Sequence, residues 1–233
     1  MILKQGNKNK DIEKKWRDMD FYRYPVKTAI ITENDTIVEV IREYAGGFLQ
    51  DGDVVGIAES VLAVIQKRAY KFSEIKFGFF AEILSGFVTR TPAGIGLGTP
   101  QTMQLAINEV GLLRVLFAAF VAGITKPIGI SGMFYRIAGD RARGIDGPTD
   151  NTIPPYNEYA SLLPKNPNKI IKNLETEFAD KNIHFCIVDA NDIGVNLIGS
   201  YDADFADFMK TMFADNPLGQ GAESTPLLIC RKK

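Results

Sequence analysis

Apolar residues along the chain recur at two spacings, one close to a helical turn and one in short continuous runs, and the two alternate. Residues 27–32, KTAIIT, read as a strand, and Ile37, Val40, Ile41 and Tyr44 follow at helical spacing until Gly46 and Gly47 end the helix. After the turn residues Asp51, Gly52 and Asp53, the run VVGIA (54–58) predicts a buried strand. Val61, Leu62, Ile65 and Ala69 then continue as a helix that turns Lys67 and Arg68 outward. Thr99 and Pro100 mark the start of an apolar, helical middle, because threonine caps a helix and proline fits its first turn.

Beyond Ile124 the texture changes. Residues 131–169 are rich in Gly, Pro, Asp and Asn, the composition of a long loop region of the kind kept for function. Ile170, Ile171, Leu174 and Phe178 share one face of a predicted helix over 168–179. The strand IHFCIVDA, a helix from about 203 to 214 and a closing strand PLLICR complete the order. The first 20 residues carry Lys4, Lys8, Lys10, Lys14, Lys15 and Arg17 with few apolar anchors before Trp16, which reads as a polar tail or a short surface helix ahead of a domain over 21–233.

With 233 residues, 45% hydrophobic and 24% charged, the chain is sized and composed to bury one core, or two interlocked subdomains. Twenty-seven basic against 28 acidic residues leave a formal charge of −1, so nothing global points to nucleic acid or an anionic membrane, and an anion site must be local. The most apolar stretch, 111–124, is broken by Arg114 and is too short to span a bilayer, and the N-terminus is polar. The expectation is a cytoplasmic protein without export signal or membrane span.

The histidine and cysteine inventory narrows the chemistry further. The single histidine, His184, stands in an apolar strand and reads as a core residue. Cys186 and Cys230 sit in apolar strands as small hydrophobes. A zinc site of the usual ligands or a Ser-His-Asp triad therefore has no convincing donor set, and any metal should be held by oxygen, which suits Mg²⁺, Mn²⁺ or Ca²⁺.

Three constellations remain. TPAGIGLGTP (91–100) places Gly94, Gly96 and Gly98 before a capped helix, either as a phosphate cradle or as a turn between helices. It lacks the spacing of a dinucleotide fingerprint and the lysine of a P-loop. GDRARGIDGPTD (139–150) sets Arg141 and Arg143 beside Asp140, Asp146 and Asp150, either to hold an anionic ligand with its cation or as a solvated polar loop. Asp189 is the first acid after IHFCIV, at the strand edge where α/β proteins bind ligands, or else a turn-forming aspartate.

Together these blocks resemble the gamma-glutamyl ligases of factor 420, a deazaflavin coenzyme, over about residues 24–231. DGDVVGIAESVLAVIQKR (51–68) is similar to that family's first block, and GTPQTMQLAINEVG (98–111) to its PSP-containing helix. GID at 144–146 resembles the family's GVD. LLPKNPNKIIKNLE (162–175) resembles its LLPEDPD helix start, and IVDANDIG (187–194) stands where the family has S-D-T-F-G-R. GQGAESTPLLICR (219–231) resembles the glycine-rich approach to its last strand.

The resemblance implies an α+β fold of mixed β-sheets packed with helices, in two intertwined subdomains, and a homodimer. It implies a reaction in which GTP, or ATP, and Mg or Mn support addition of glutamate or a similar amino acid to a phosphorylated acceptor. Asp146 and Asp189 would be the metal carboxylates, Arg141 and Arg143 would stabilise developing negative charge, and Gly94, Gly96 and Gly98 would contact phosphate. Departures from the pattern motivate a second reading. Ser60 and Val64 occupy the plausible positions of a family lysine, Ala190 replaces a threonine, and no arginine follows Asp189 in DANDIGVNLIG. The second reading is a non-catalytic or repurposed nucleotide- or anion-binding protein on the same scaffold.

Overall fold

The computed structural model describes all residues except 5, 8, 9, 89–94, 192, 193, 220 and 222. The chain forms two compact units. The first comprises residues 1–67 and 164–233, and the second, residues 68–163, is an insertion in its sequence.

The first unit is built on strands β1 (Glu13–Trp16), β2 (Met19–Val26), β3 (Val54–Ala58), β6 (His184–Ala190), β7 (Val195–Leu197) and β8 (Leu227–Lys232). They form one mixed sheet in the order β1-β2-β8-β3-β6-β7, in which only β3 and β6 run parallel. Helices α1 (Ile37–Tyr44), α2 (Glu59–Ile65) and α8 (Pro167–Glu177) contribute to a core with Val55, Ile57, Phe185, Ile187, Leu227 and Ile229. The alternate residues Val54, Cys186, Val188, Leu228 and Cys230 pack instead with Phe208, Met209, Met212 and Phe213 of α9 (Ala203–Phe213). Covering both faces explains why these strands read as continuous apolar runs rather than as alternation.

Gly56 is required by this packing. A Cβ there would lie 2.5 Å from the Phe213 ring, so only a bare backbone lets α9 settle on β3.

Four local expectations are corrected. Residues 27–32 are not a strand, because β2 precedes them. It was obscured by Arg23, a charged residue at a core position of the sheet. Desolvation would raise the Asp215 carboxyl, but hydrogen bonds and charge from Arg23, then the charge of Lys14, carry it down to about 2. Arg23 Nη1 donates to Asp215 Oδ1 at 2.5 Å and to the Met212 carbonyl at 2.7 Å, which makes its burial tolerable.

The N-terminal segment is not simply a tail. Residues 13–16 form the edge strand β1, held by Trp16 Nε1 donating to Asp207 Oδ2 at 2.8 Å and by the Trp16 ring against Phe208. His184 opens β6 instead of sitting within it, and is exposed 3.7 Å from Glu175. Arg68 is buried rather than outward.

The second unit contains β4 (Ala69–Lys71) and β5 (Tyr159–Ser161), paired antiparallel, and helices α3 (Phe79–Ser85), α4 (Pro100–Val110), α5 (Leu112–Thr125), α6 (Met133–Ala138) and α7 (Asp140–Arg143). The region expected as loop therefore carries two short helices and a strand. Leu97, Met103, Ala106, Val115, Ala118, Ile145 and Leu162 contribute to its core. Thr99 caps α4 as expected, its hydroxyl accepting from the Thr102 amide. Gly111, at φ +89°, separates α4 from α5, and the two axes bend by 116° across it. Among the described residues no single helix is long and apolar enough to cross a membrane.

Candidate functional site

Strand directions in the first unit bring the C-terminal ends of β2, β3 and β6 and the N-terminal end of β8 to one edge of the sheet. Backbone bonds sew the flanking loops together there. The Ala58 amide donates to the Pro226 carbonyl at 2.8 Å, the Thr28 amide to the Ser224 carbonyl at 2.9 Å, and the Ser224 hydroxyl to the Thr28 carbonyl at 3.1 Å. The ends of parallel strands are where α/β sheets present ligand-binding loops.

Asp189 lies on β6 at this edge, half-buried and opposite Asn196 of β7 in the antiparallel register. The turn between these strands is held by Asn191, whose amide donates to the Gly194 carbonyl and whose side-chain oxygen accepts from the Gly194 amide. Asp189 is thus a strand residue, and the turn-forming role belongs to its neighbour. The last register pair of β3 with β6 is Ala58 with Val188, and one residue further on each chain stand Glu59 and Asp189.

A third acid, Glu223, lies in the loop before β8, its side chain against Gly219. Its Oε2 is buried without a hydrogen-bond partner among the described residues, which suits a carboxylate awaiting a donor. Thr225 anchors the same loop, donating to the Leu218 carbonyl and accepting from Asn7 Nδ2 at 3.0 Å. Glu59 and Glu223 were not singled out from sequence. The usable signals were position alone: Glu59 directly follows an apolar strand, and Glu223 is the acid of the glycine-rich approach to the last one.

The other candidate residues belong to the second unit. Arg141 Nη1 donates to Glu109 Oε1 at 2.7 Å, an oxygen that also takes Arg68 Nη2 at 2.8 Å. Arg143 makes an exposed ion pair with Asp140 at 3.4 Å. Asp146 exchanges backbone hydrogen bonds with Ser161. Its residue surface is open to water, and desolvation by surrounding protein raises its carboxyl above the usual range. Gly98 donates its amide to the Ile95 carbonyl, closing a turn, and Gly96 has φ +51°. Gly94 lies outside the described residues.

Asp146 belongs to the second unit and Asp189 to the first. Among the described residues no three His, Cys, Asp or Glu side chains are grouped to hold a metal. That donor set does not suit an all-protein cage. Both cysteines are buried as expected. Burial pushes the Cys186 thiol well above its ordinary value and Cys230 up to about 12, so neither is a ready nucleophile.

Residues 25–196 match the family model described as F420-0:Gamma-glutamyl ligase. No curated protein matches the chain.

Proposed function

The chain belongs to the F420-0:Gamma-glutamyl ligase family, and on that premise we propose that it is a cytoplasmic, nucleotide- and metal-dependent amide ligase. Its substrates are GTP, or ATP, glutamate or a similar amino acid, and a phosphorylated acceptor carrying a carboxylate. Family membership supports the ligase-like chemistry. The observation that carries the placement is the convergence of Asp189, Glu59 and the Glu223 loop on the sheet edge where parallel strands end.

In this reaction the acceptor carboxylate attacks the γ-phosphorus of the nucleotide, forming an acyl phosphate and releasing the nucleoside diphosphate. The amino group of the amino acid then attacks the acyl carbon. Phosphate leaves with the C–O bonding pair, the amine loses a proton, and the amide bond is complete. A bound divalent cation supplies charge neutralisation at the phosphates. Asp189 is the carboxylate we assign to hold it at this edge, and Asp146 is the family-derived second candidate. Glu223, with an unsatisfied acceptor oxygen, is the carboxylate we assign to accept an N–H of the incoming neutral amine.

Arg141 and Arg143 are the cations proposed to face developing phosphate charge. The Glu109 bond already occupying Arg141 favours the second reading, a binding protein without turnover, to that extent.

Calorimetric titration with GTP and with ATP, each with and without Mn²⁺, tests the proposal. Metal-dependent binding that is lost in Asp189→Asn is expected, and binding unchanged in that variant would remove Asp189 from the assignment. Amide product from GTP, glutamate and the deazaflavin precursor would exclude the non-catalytic reading.

A further inference from the structure

The segment ahead of β1 is docked on β2 at two places. Ile2 makes an antiparallel bridge to Val26, and the Leu3 amide donates to the Pro25 carbonyl at 2.9 Å. Further along, the Ile12 carbonyl accepts from the Arg23 amide at 2.7 Å, just before β1 begins.

Asn7 stands between these anchors. It is only 8% exposed, although the run around it is polar and rich in lysine. Its side-chain amide donates to the Pro217 carbonyl at 2.8 Å and to Thr225 Oγ1 at 3.0 Å, which uses both hydrogens of the nitrogen. Because the Thr225 oxygen accepts from Asn7, its own proton goes to the Leu218 carbonyl. Pro217 and Thr225 lie at the two ends of the loop that precedes β8, so one buried side chain ties the beginning of that loop to its end. Tying the ends removes conformational freedom from the residues between them.

The turn that presents Asn7 is specified locally. The Asn7 carbonyl accepts from the Lys10 amide at 3.0 Å, and a Cβ at Gly6, whose φ is +71°, would lie 2.4 Å from the Lys10 carbonyl oxygen.

Between the tied ends stands Glu223. A Cβ at Gly219 would come within 2.9 Å of the Glu223 carboxyl carbon, so the acid lies directly on bare backbone. Asn216 braces that backbone, its Nδ2 donating to the Gly219 carbonyl at 3.2 Å while the Gly219 amide donates to the Asn216 carbonyl at 3.0 Å. A buried acceptor without a donor costs free energy that a turn toward water would recover, so the place of Glu223 Oε2 must be imposed by the loop around it. Asn7, Pro217, Glu223 and Thr225 all lie outside the residues that match the family model.

We propose that Asn7 is a positioning residue for the amino-acid substrate: by tying Pro217 to Thr225 it fixes the Glu223 carboxylate where the attacking amine docks. The proposal rests on the ligase reading above, and Asn7 acts only through the loop.

The test uses the full chain with GTP, Mn²⁺, glutamate and the deazaflavin precursor. Asn7→Ala is expected to raise KM for glutamate about tenfold, with KM for GTP and kcat unchanged. In a Glu223→Gln background the same substitution is expected to add nothing, because the group it positions is already altered. Amide hydrogen exchange over 216–225 is expected to accelerate in Asn7→Ala while β3 and β6 stay protected. Thr225→Val removes one of the two bonds from the loop side and is expected to act in the same direction, which keeps the comparison available if Asn7→Ala does not fold.

Unchanged loop exchange in both variants would overturn the proposal. So would an equal rise in KM for GTP and for glutamate, or a full additional effect of Asn7→Ala on the Glu223→Gln protein. An unmodified chain that forms no amide would overturn the ligase reading and this proposal with it, and the exchange comparison separates that failure from a failure of Asn7 to hold the loop.

Discussion

Arg68 Nη2 lies 2.8 Å from Glu109 Oε1 with only 6% and 8% of the two side chains exposed, and Arg141 completes the cluster from the surface by donating to the same oxygen. The three members are not equivalent. Removing Glu109 strands a buried guanidinium whose Nε is also committed to the Leu163 carbonyl, whereas removing Arg141 leaves a buried pair intact. Glu109→Ala is expected to cost about 3–5 kcal/mol in urea unfolding. Arg141→Ala is expected to cost no more than about 1 kcal/mol, so any larger effect of Arg141→Ala on nucleotide binding would report a role in ligand contact rather than in folding.

Asp215 gives the fold an acid limit. Its folded-state pKa, held at about 2, lies below the ordinary unfolded value near 4. Such a group stabilises the fold above pH 4 and loses that contribution as pH falls from 4 to 2. Denaturant melts at pH 2, 3, 4 and 5 should show Asp215→Asn less stable than the parent at pH 5, with the difference shrinking toward pH 2. A constant difference would mean that the Arg23 pair is not the cause.

Gly56 has no room for a methyl group. Gly56→Ala is expected to lower stability by about 1–3 kcal/mol, because the new Cβ meets the Phe213 ring. Adding Phe213→Leu should recover part of the loss. An alanine variant as stable as the parent would show that α9 does not press on β3 as described.

Tyr201 repairs the sheet where β7 ends. Its hydroxyl accepts from the Ile187 amide at 2.9 Å and donates to the Ile198 carbonyl at 3.1 Å, and burial raises its pKa far above the ordinary tyrosine value. Tyr201→Phe leaves a strand amide without its acceptor and is expected to cost about 1–3 kcal/mol. Amide exchange at Ile187 should accelerate in the same variant, and unchanged exchange there would contradict the role.

Elements whose local signals agreed with their packing were readable in advance. The strand at 54–58, the capped helix at Thr99, the helices near 168–179 and 203–214 and the closing strand all stand where periodicity and capping chemistry put them. Those that failed did so where a distant partner rewrote the local signal. Arg23 is at home inside the sheet only because Asp215, far along the chain, neutralises it, and Arg68 is buried only because Glu109 waits for it.

The site divides in the same way. Asp189 was legible because an acid closing an apolar strand marks a sheet edge from local sequence alone. Glu59 and Glu223 were not, because nothing in their own neighbourhoods reveals that β3 runs parallel to β6 while β8 runs antiparallel to β3, bringing the three loops together. The chain by itself determined the order of most elements and the burial of both cysteines, since these follow from residue type and spacing, and its sequence blocks carried the resemblance to the family. Only the tertiary structure decided which charges are buried in pairs and which acids share an edge, because each depends on strand direction and on contacts between residues far apart in sequence.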